Sequence, residues 1–105
     1  MNTESADCVL CKTPKEFDAH GAGAVMADDE VLEGVEHQAM FIYVRLPGNI
    51  DAGAIQVTRD PSRSEPRVWH IEGSPEQMST FSLRPSVHLV GEWHGYLRNG
   101  RLESC

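Results

Sequence analysis

From Ala39 onward the chain is a succession of short apolar or alternating runs, each cut off by a proline or glycine before a helix of ordinary length could form. "AMFIYVRL" is mostly apolar, aromatic and β-branched and stops at Pro47-Gly48, so it reads as a buried strand. "AIQVTR" alternates, with Ile55 and Val57 inward against Gln56 and Thr58 outward, and stops at Asp60-Pro61. "SRSEP" is a polar loop. "RVWHIE" puts Val68, His70 and Glu72 on one face and Trp69 and Ile71 on the other, before a Gly73-Ser74-Pro75 turn. "STFSL" and "SVHLVG" flank Arg84-Pro85, where proline breaks the ladder or marks an edge or bulge.

The last fifteen residues, "GEWHGYLRNGRLESC", carry the strongest local signal. Asn99-Gly100 between two strands predicts a two-residue type I′ turn. That register sets Arg98 against Arg101, Leu97 against Leu102, Tyr96 against Glu103, Gly95 against Ser104 and His94 against Cys105. Trp93, Leu97 and Leu102 then face the core, and His94, Tyr96, Arg98, Arg101, Glu103 and Cys105 face away. The missing side chain of Gly95 makes room for a large neighbour.

The whole reads as one domain, residues 1–105. It is mainly β: a small antiparallel sheet or sandwich of six or seven strands with a C-terminal type I′ hairpin and at most one short helix. The helix is expected where Asp28, Asp29 and Glu30 suit a helix N-terminus and Gly34 can end it, with a short strand at Ala24–Ala27 as the competing reading of that region. A hydrophobic share of 40% and a charged share of 24% fit a soluble globular domain. No apolar run approaches the ~20 residues that span a bilayer. The start "MNTESADCVLCKT" lacks the basic and apolar regions of a secretory signal, so a cytoplasmic location is expected. There, three cysteines point to thiols or metal and not to disulfides.

Charge is uneven. Residues 1–36 hold nine acids and two lysines, a net of −7, while residues 37–105 hold seven acids and seven arginines. An acidic N-terminal segment on a neutral β body repels nucleic acid and suits either solvent or a basic partner. No phosphate-binding glycine loop is present, nor a basic patch interleaved with aromatics. Direct nucleic-acid binding and membrane insertion are therefore not expected. A homodimer is, since a short β-fold gains by pairing its exposed edge strands.

Two constellations carry chemistry. Cys8-x-x-Cys11 has the spacing of half a zinc knuckle, and the hairpin register places His94 beside Cys105. Cys8, Cys11, His94 and Cys105 would complete a tetrahedral Zn2+ site tying the N-terminal segment to the last hairpin, against the simpler reading of three unconnected thiols. A redox Cys-x-x-Cys lacks the βαβ context it needs. The second constellation is the polar side of the closing strands. Arg84, Ser86, His94, Tyr96 and Arg98 are candidate ligand-binding residues, and Arg84, Arg98 and Arg101 either form a small anion pocket or only solvate their strand face. His70, His88 and His94 are either half-buried, hydrogen-bonded residues or a cluster of metal ligands or acid–base groups. Ser86 is a conceivable nucleophile, although no Gly-x-Ser-x-Gly elbow surrounds it.

"VWHIEG", "FSLRPSV" and "EWHGYLRNGRL", in that order, resemble a family of small uncharacterised phage and prophage proteins. The resemblance covers residues 67–105. Trp69, Ile71 and Gly73 match its first element, and Leu83, Pro85 and Ser86 its second. His94, Gly95, Tyr96, Leu97, Asn99 and Gly100 match its third. Cys8 and Cys11 resemble the N-terminal cysteines of many members. Phe81-Ser82 stands where Pro-Thr is usual, and Arg84 where serine is common. Some members carry the label "ammonia monooxygenase", which nothing in this sequence supports. The resemblance implies a phage-encoded accessory protein, non-enzymatic, acting in the host cytoplasm. It would bind a host protein or a small phosphorylated ligand, in counter-defence. A small metal-dependent hydrolase using the histidines, and a virion or assembly component, are the alternatives.

Overall fold

The computed structural model of the chain describes residues 5–36, 38–89 and 91–105. The elements run β1 (Ser5–Asp7), β2 (Val9–Leu10), α1 (Pro14–His20), β3 (Ala24–Ala27), α2 (Asp29–Glu33), β4 (Met40–Leu46), β5 (Ile50–Thr58), β6 (Val68–Ser74), β7 (Gln77–Leu89), β8 (Trp93–Arg98) and β9 (Arg101–Ser104). The mainly β expectation holds, and its details are corrected. Among the described residues nine strands form one sheet in the order β1-β9-β8-β7-β6-β5-β4-β3-β2, nearly closed into a barrel, in place of six or seven. Two helices flank it in place of one. The sheet is antiparallel except at β2–β3 and β5–β6, which are parallel and joined by longer connections.

The closing strand is a single run of chain broken at Cys8. On one side Ser5–Asp7 pair with Glu103–Arg101 of β9. On the other Val9 and Leu10 pair with Ala24 and Val25 of β3. Consecutive backbone N–H groups of a strand point opposite ways. The Cys8 N–H accordingly donates to Gly100 O (2.8 Å) and the Val9 N–H to Gly23 O (3.0 Å). Gly23, with φ of 90°, sits so close that a Cβ there would lie 2.2 Å from the Asp7 carbonyl oxygen. The end strands of the sheet thereby become neighbours.

The core is built from alternate residues. Met40, Ile42, Val44 and Leu46 of β4 point inward, as do Ile55 and Val57 of β5 and Ile71 of β6. Phe81, Leu83 and Val87 of β7 join Trp93 and Leu97 of β8 and Leu102 of β9. Thr58, expected outside, is wholly buried. Its hydroxyl donates to Glu36 Oε2 (2.7 Å) while the Arg59 N–H donates to Oε1 (2.6 Å), which removes the penalty of burying it.

The acidic N-terminal third docks on its own β body. Asp7 pairs with Arg101 (2.6 Å), Asp18 with Arg45 (3.0 Å) and Glu36 with Arg63 (3.8 Å). Part of the basic partner that this segment suits is thus the rest of the chain. α2 ends at Gly34 in the left-handed conformation, as the sequence indicates, and β3 lies just before it, so the helix and the strand are both present. α1 was not foreseen. Thr13 caps it by accepting from the Glu16 N–H (3.1 Å), Glu16 reaches back to the Lys12 N–H (2.7 Å), and Pro14 opens the first turn.

Candidate functional site

Asn99 and Gly100 both have positive φ, 52° and 74°, as a type I′ turn requires. The observed register of β8 on β9 is the one the turn dictates, from Arg98 opposite Arg101 to Gly95 opposite Ser104. Alternation along β8 then buries Trp93, Gly95 and Leu97 and leaves His94, Tyr96 and Arg98 on the outer face. Gly95 has no room for a side chain. A Cβ would meet the Glu103 carbonyl oxygen at 2.2 Å and the Trp93 ring at 2.4 Å.

β7 supplies the opposite wall. Leu83 pairs with Leu97, and Val87 with Gly95, but the register shifts between them, across the cis Arg84-Pro85 bond. Beyond the shift His88 stands directly opposite His94. Their rings stack with centroids 4.4 Å apart. Ser86, two residues before His88, shares that outer face. Its Oγ lies 2.9 Å from His94 Nε2. The Trp69 Nε1–H donates to the Ser86 carbonyl oxygen (3.1 Å), holding the backbone there.

These strands border a surface groove of about 640 Å³. Arg84, Arg98, His70 and Ser86 supply its polar groups, and Pro61, Pro85 and Tyr96 its apolar surface. Arg98 lies over the Tyr96 ring, its guanidinium carbon 4.6 Å from the centroid. It forms no ion pair with a carboxylate among the described residues. Arg84 pairs with Glu72 (3.0 Å), but both side chains are more than half exposed, at 69% and 52%, so the pair is weak and exchangeable.

The loop carrying Pro61 is well held. Asp60 accepts from the Ser62 N–H (2.9 Å) and hydroxyl (2.7 Å), and these bonds, with smaller help from Arg63 and His70, keep its carboxyl below the usual range. Arg63 grips Glu65 through Nε and Nη2 (2.6 and 2.9 Å).

Of the sequence-predicted ligand residues, Arg84, Ser86, Tyr96 and Arg98 line this one groove, and His94 reaches it through Ser86. Pro61 and Trp69 were missed as site residues. Pro61 comes from the crossover joining parallel strands, and no local pattern marks where that crossover lands.

The proposed zinc ligands divide. Cys105 lies at His94, its N–H donating to the His94 carbonyl oxygen (3.1 Å) and its thiol to the same oxygen (3.6 Å). Cys8 sits beside Gly100, at the other end of β9, roughly 16 Å away at ~3.3 Å per residue. The Cys8 thiol packs into the main core and that of Cys11 into a second apolar cluster with Phe17 and Ala24. The four expected ligands are therefore not gathered. Among the described residues, no three His, Cys, Asp or Glu side chains are grouped as a metal ion would need. Desolvation, with a smaller contribution from Asp7, pushes the Cys8 thiol up to about 12. Desolvation also raises the Cys11 thiol, partly offset by a backbone hydrogen bond at Val25. Both are protonated at neutral pH and poor nucleophiles.

Comparison with known proteins found no matching family model, curated protein or solved structure.

Proposed function

We propose that the groove between β7, β8 and the Pro61 loop binds a small ligand bearing a phosphate group. One observation carries this reading: two arginines, Arg84 and Arg98, border the same groove as the Ser86 hydroxyl and His70. Guanidinium forks match phosphate oxygens two at a time, and a serine hydroxyl adds a further donor. Arg98 has no carboxylate to give up among the described residues, and Arg84 has only an exposed one. Pro61, Pro85 and Tyr96 offer an apolar seat for the organic part of the ligand.

The resemblance of residues 67–105 to small phage proteins supplies a setting: a phage-encoded accessory protein that holds a phosphorylated host metabolite or signal in counter-defence.

Phenyl phosphate, a phosphomonoester with a flat apolar group, is the probe. In an amide NMR titration its addition moves the signals of residues 82–84, 86 and 94–98 and leaves those of the β1–β2 seam in place. Uniform small shifts, or none up to millimolar probe, would overturn the reading.

A further inference from the structure

We propose that Ser86 is a nucleophile activated by His94, so that the groove transfers the phosphoryl group of a bound phosphomonoester to Ser86 Oγ. This rests on the phosphate-binding reading for its substrate class, but the nucleophile itself is argued from separate geometry.

Ser86 and His94 come from different strands, and each is fixed from its far side. The Trp69 indole N–H pins the Ser86 carbonyl (3.1 Å), and the stacked His88 ring clamps the plane of His94. Between them Oγ and Nε2 stand at 2.9 Å, within the range for proton transfer from a hydroxyl to a general base. With the ring proton on Nδ1, Nε2 accepts the serine proton. A purely structural Ser–His bond would serve to satisfy buried polar groups, but this pair is exposed and water could satisfy both partners. Ser86 instead borders the groove, with His94 behind it, and there Arg84 and Arg98 can meet the charge on the phosphoryl oxygens.

The step balances without an external reagent other than water. Ser86 Oγ attacks phosphorus as its proton moves to His94 Nε2. The bond from phosphorus to the ester oxygen breaks, and His94 returns the proton to the departing alcohol. Water then attacks the phosphoserine, giving its proton to His94. Phosphate leaves and His94 reprotonates Ser86 Oγ. The net reaction is phosphomonoester plus water to alcohol plus phosphate.

Diisopropyl fluorophosphate tests the nucleophile whatever the natural substrate. It forms an Oγ–P bond with an activated serine and releases fluoride. Intact-mass and peptide analysis of the full chain should find one adduct, at Ser86, absent in Ser86→Ala. His94→Ala should slow its formation by about 100-fold, the low end of what a general base supplies. Imidazole in the buffer should restore part of the rate, which a structural role for His94 would not allow. His94→Gln serves as a second variant should the alanine form unfold. Labelling of Ser86 no faster than that of other exposed serines, in folded protein that still binds phenyl phosphate, overturns the nucleophile and leaves the binding reading standing. Rapid labelling in protein that does not bind phenyl phosphate keeps the nucleophile and overturns the phosphomonoester as its substrate.

Discussion

Strands β7 and β8 present two faces built from alternate residues of the same chain, and the two faces obey different rules. Inward, Phe81, Leu83, Val87, Trp93 and Leu97 are buried at 6% exposure or less and meet one another across the barrel. Outward, Arg84, Ser86, His88, His94, Tyr96 and Arg98 contribute little apolar burial, and their contacts are stacks, an exposed ion pair and one Ser–His hydrogen bond. Folding explains the first set. It does not require the second, because exposed polar substitutions usually change stability by less than ~0.5 kcal/mol. The convergence of two arginines, histidines and a serine on one side is therefore the part of the molecule that binding and chemistry have to explain.

Substitutions on opposite faces break or sharpen that contrast. Leu97→Ala empties a wholly buried site and should destabilise the domain by about 2–5 kcal/mol in urea unfolding. The folded fraction should still bind phenyl phosphate. A loss below 1 kcal/mol would mean that the inner face is not the packed core described. Gly95→Ala forces a methyl group against the Glu103 carbonyl and the Trp93 ring and should cost about 1–3 kcal/mol. Thermal melting with unchanged stability would contradict the close approach.

The seam at Cys8 gives a pH-dependent version of the same contrast. The folded state holds this thiol protonated up to about 12, whereas the unfolded chain releases the proton near the ordinary thiol value of 9.0. Above pH 9 the unfolded state binds fewer protons, so stability falls as pH rises toward 12, by about 1.4 kcal/mol per unit from this one group. Unfolding free energies at pH 9 and 10 should differ by about 1 kcal/mol more in the wild type than in Cys8→Ala, because at pH 9 the unfolded thiol is still half protonated. Equal slopes would place Cys8 outside the core.

The outer face predicts the reverse. Arg98→Gln should leave stability within ~0.5 kcal/mol and weaken phenyl phosphate roughly tenfold, equivalent to ~1.4 kcal/mol. Arg84→Gln should also weaken it, because the change takes a cation from the groove and leaves the Glu72 carboxylate unpaired. Calorimetric titration of both variants reads this directly.

How much of this was legible depended on whether a signal was local. β4 announces itself by its apolar run, β5, β6 and β8 by alternation, while β7 reads as two pieces around Pro85; Asn99-Gly100 fixes the last register outright, which placed His94, Tyr96 and Arg98 on one face from sequence alone. β1 and β2 hold three and two residues, too few for any period. Their positions are set by bonds from Cys8 and Val9 to Gly100 and Gly23, one of them nearly a chain length away. α1 is seven residues long and shows no helical stripe, although Thr13-Pro14-Lys15-Glu16 spells its capping signal. In the site, proline at position 85 marks an irregularity. It does not reveal that the resulting register shift sets His88 opposite His94 and brings Ser86 to the same ring. The four proposed zinc ligands lie apart for a related reason. The register correctly joined Cys105 to His94, but only the barrel closure shows that Cys8 enters at the opposite end of β9.

The most direct measurement is the dissociation constant of phenyl phosphate for the wild-type chain and for the Arg84→Gln/Arg98→Gln double variant, by calorimetry at low and at physiological salt. Saturable one-to-one binding to the wild type, lost in a double variant of unchanged melting temperature, is the expected result. Equal affinity in the two proteins, or no binding to either, would contradict a phosphate-binding groove on the outer face of β7 and β8.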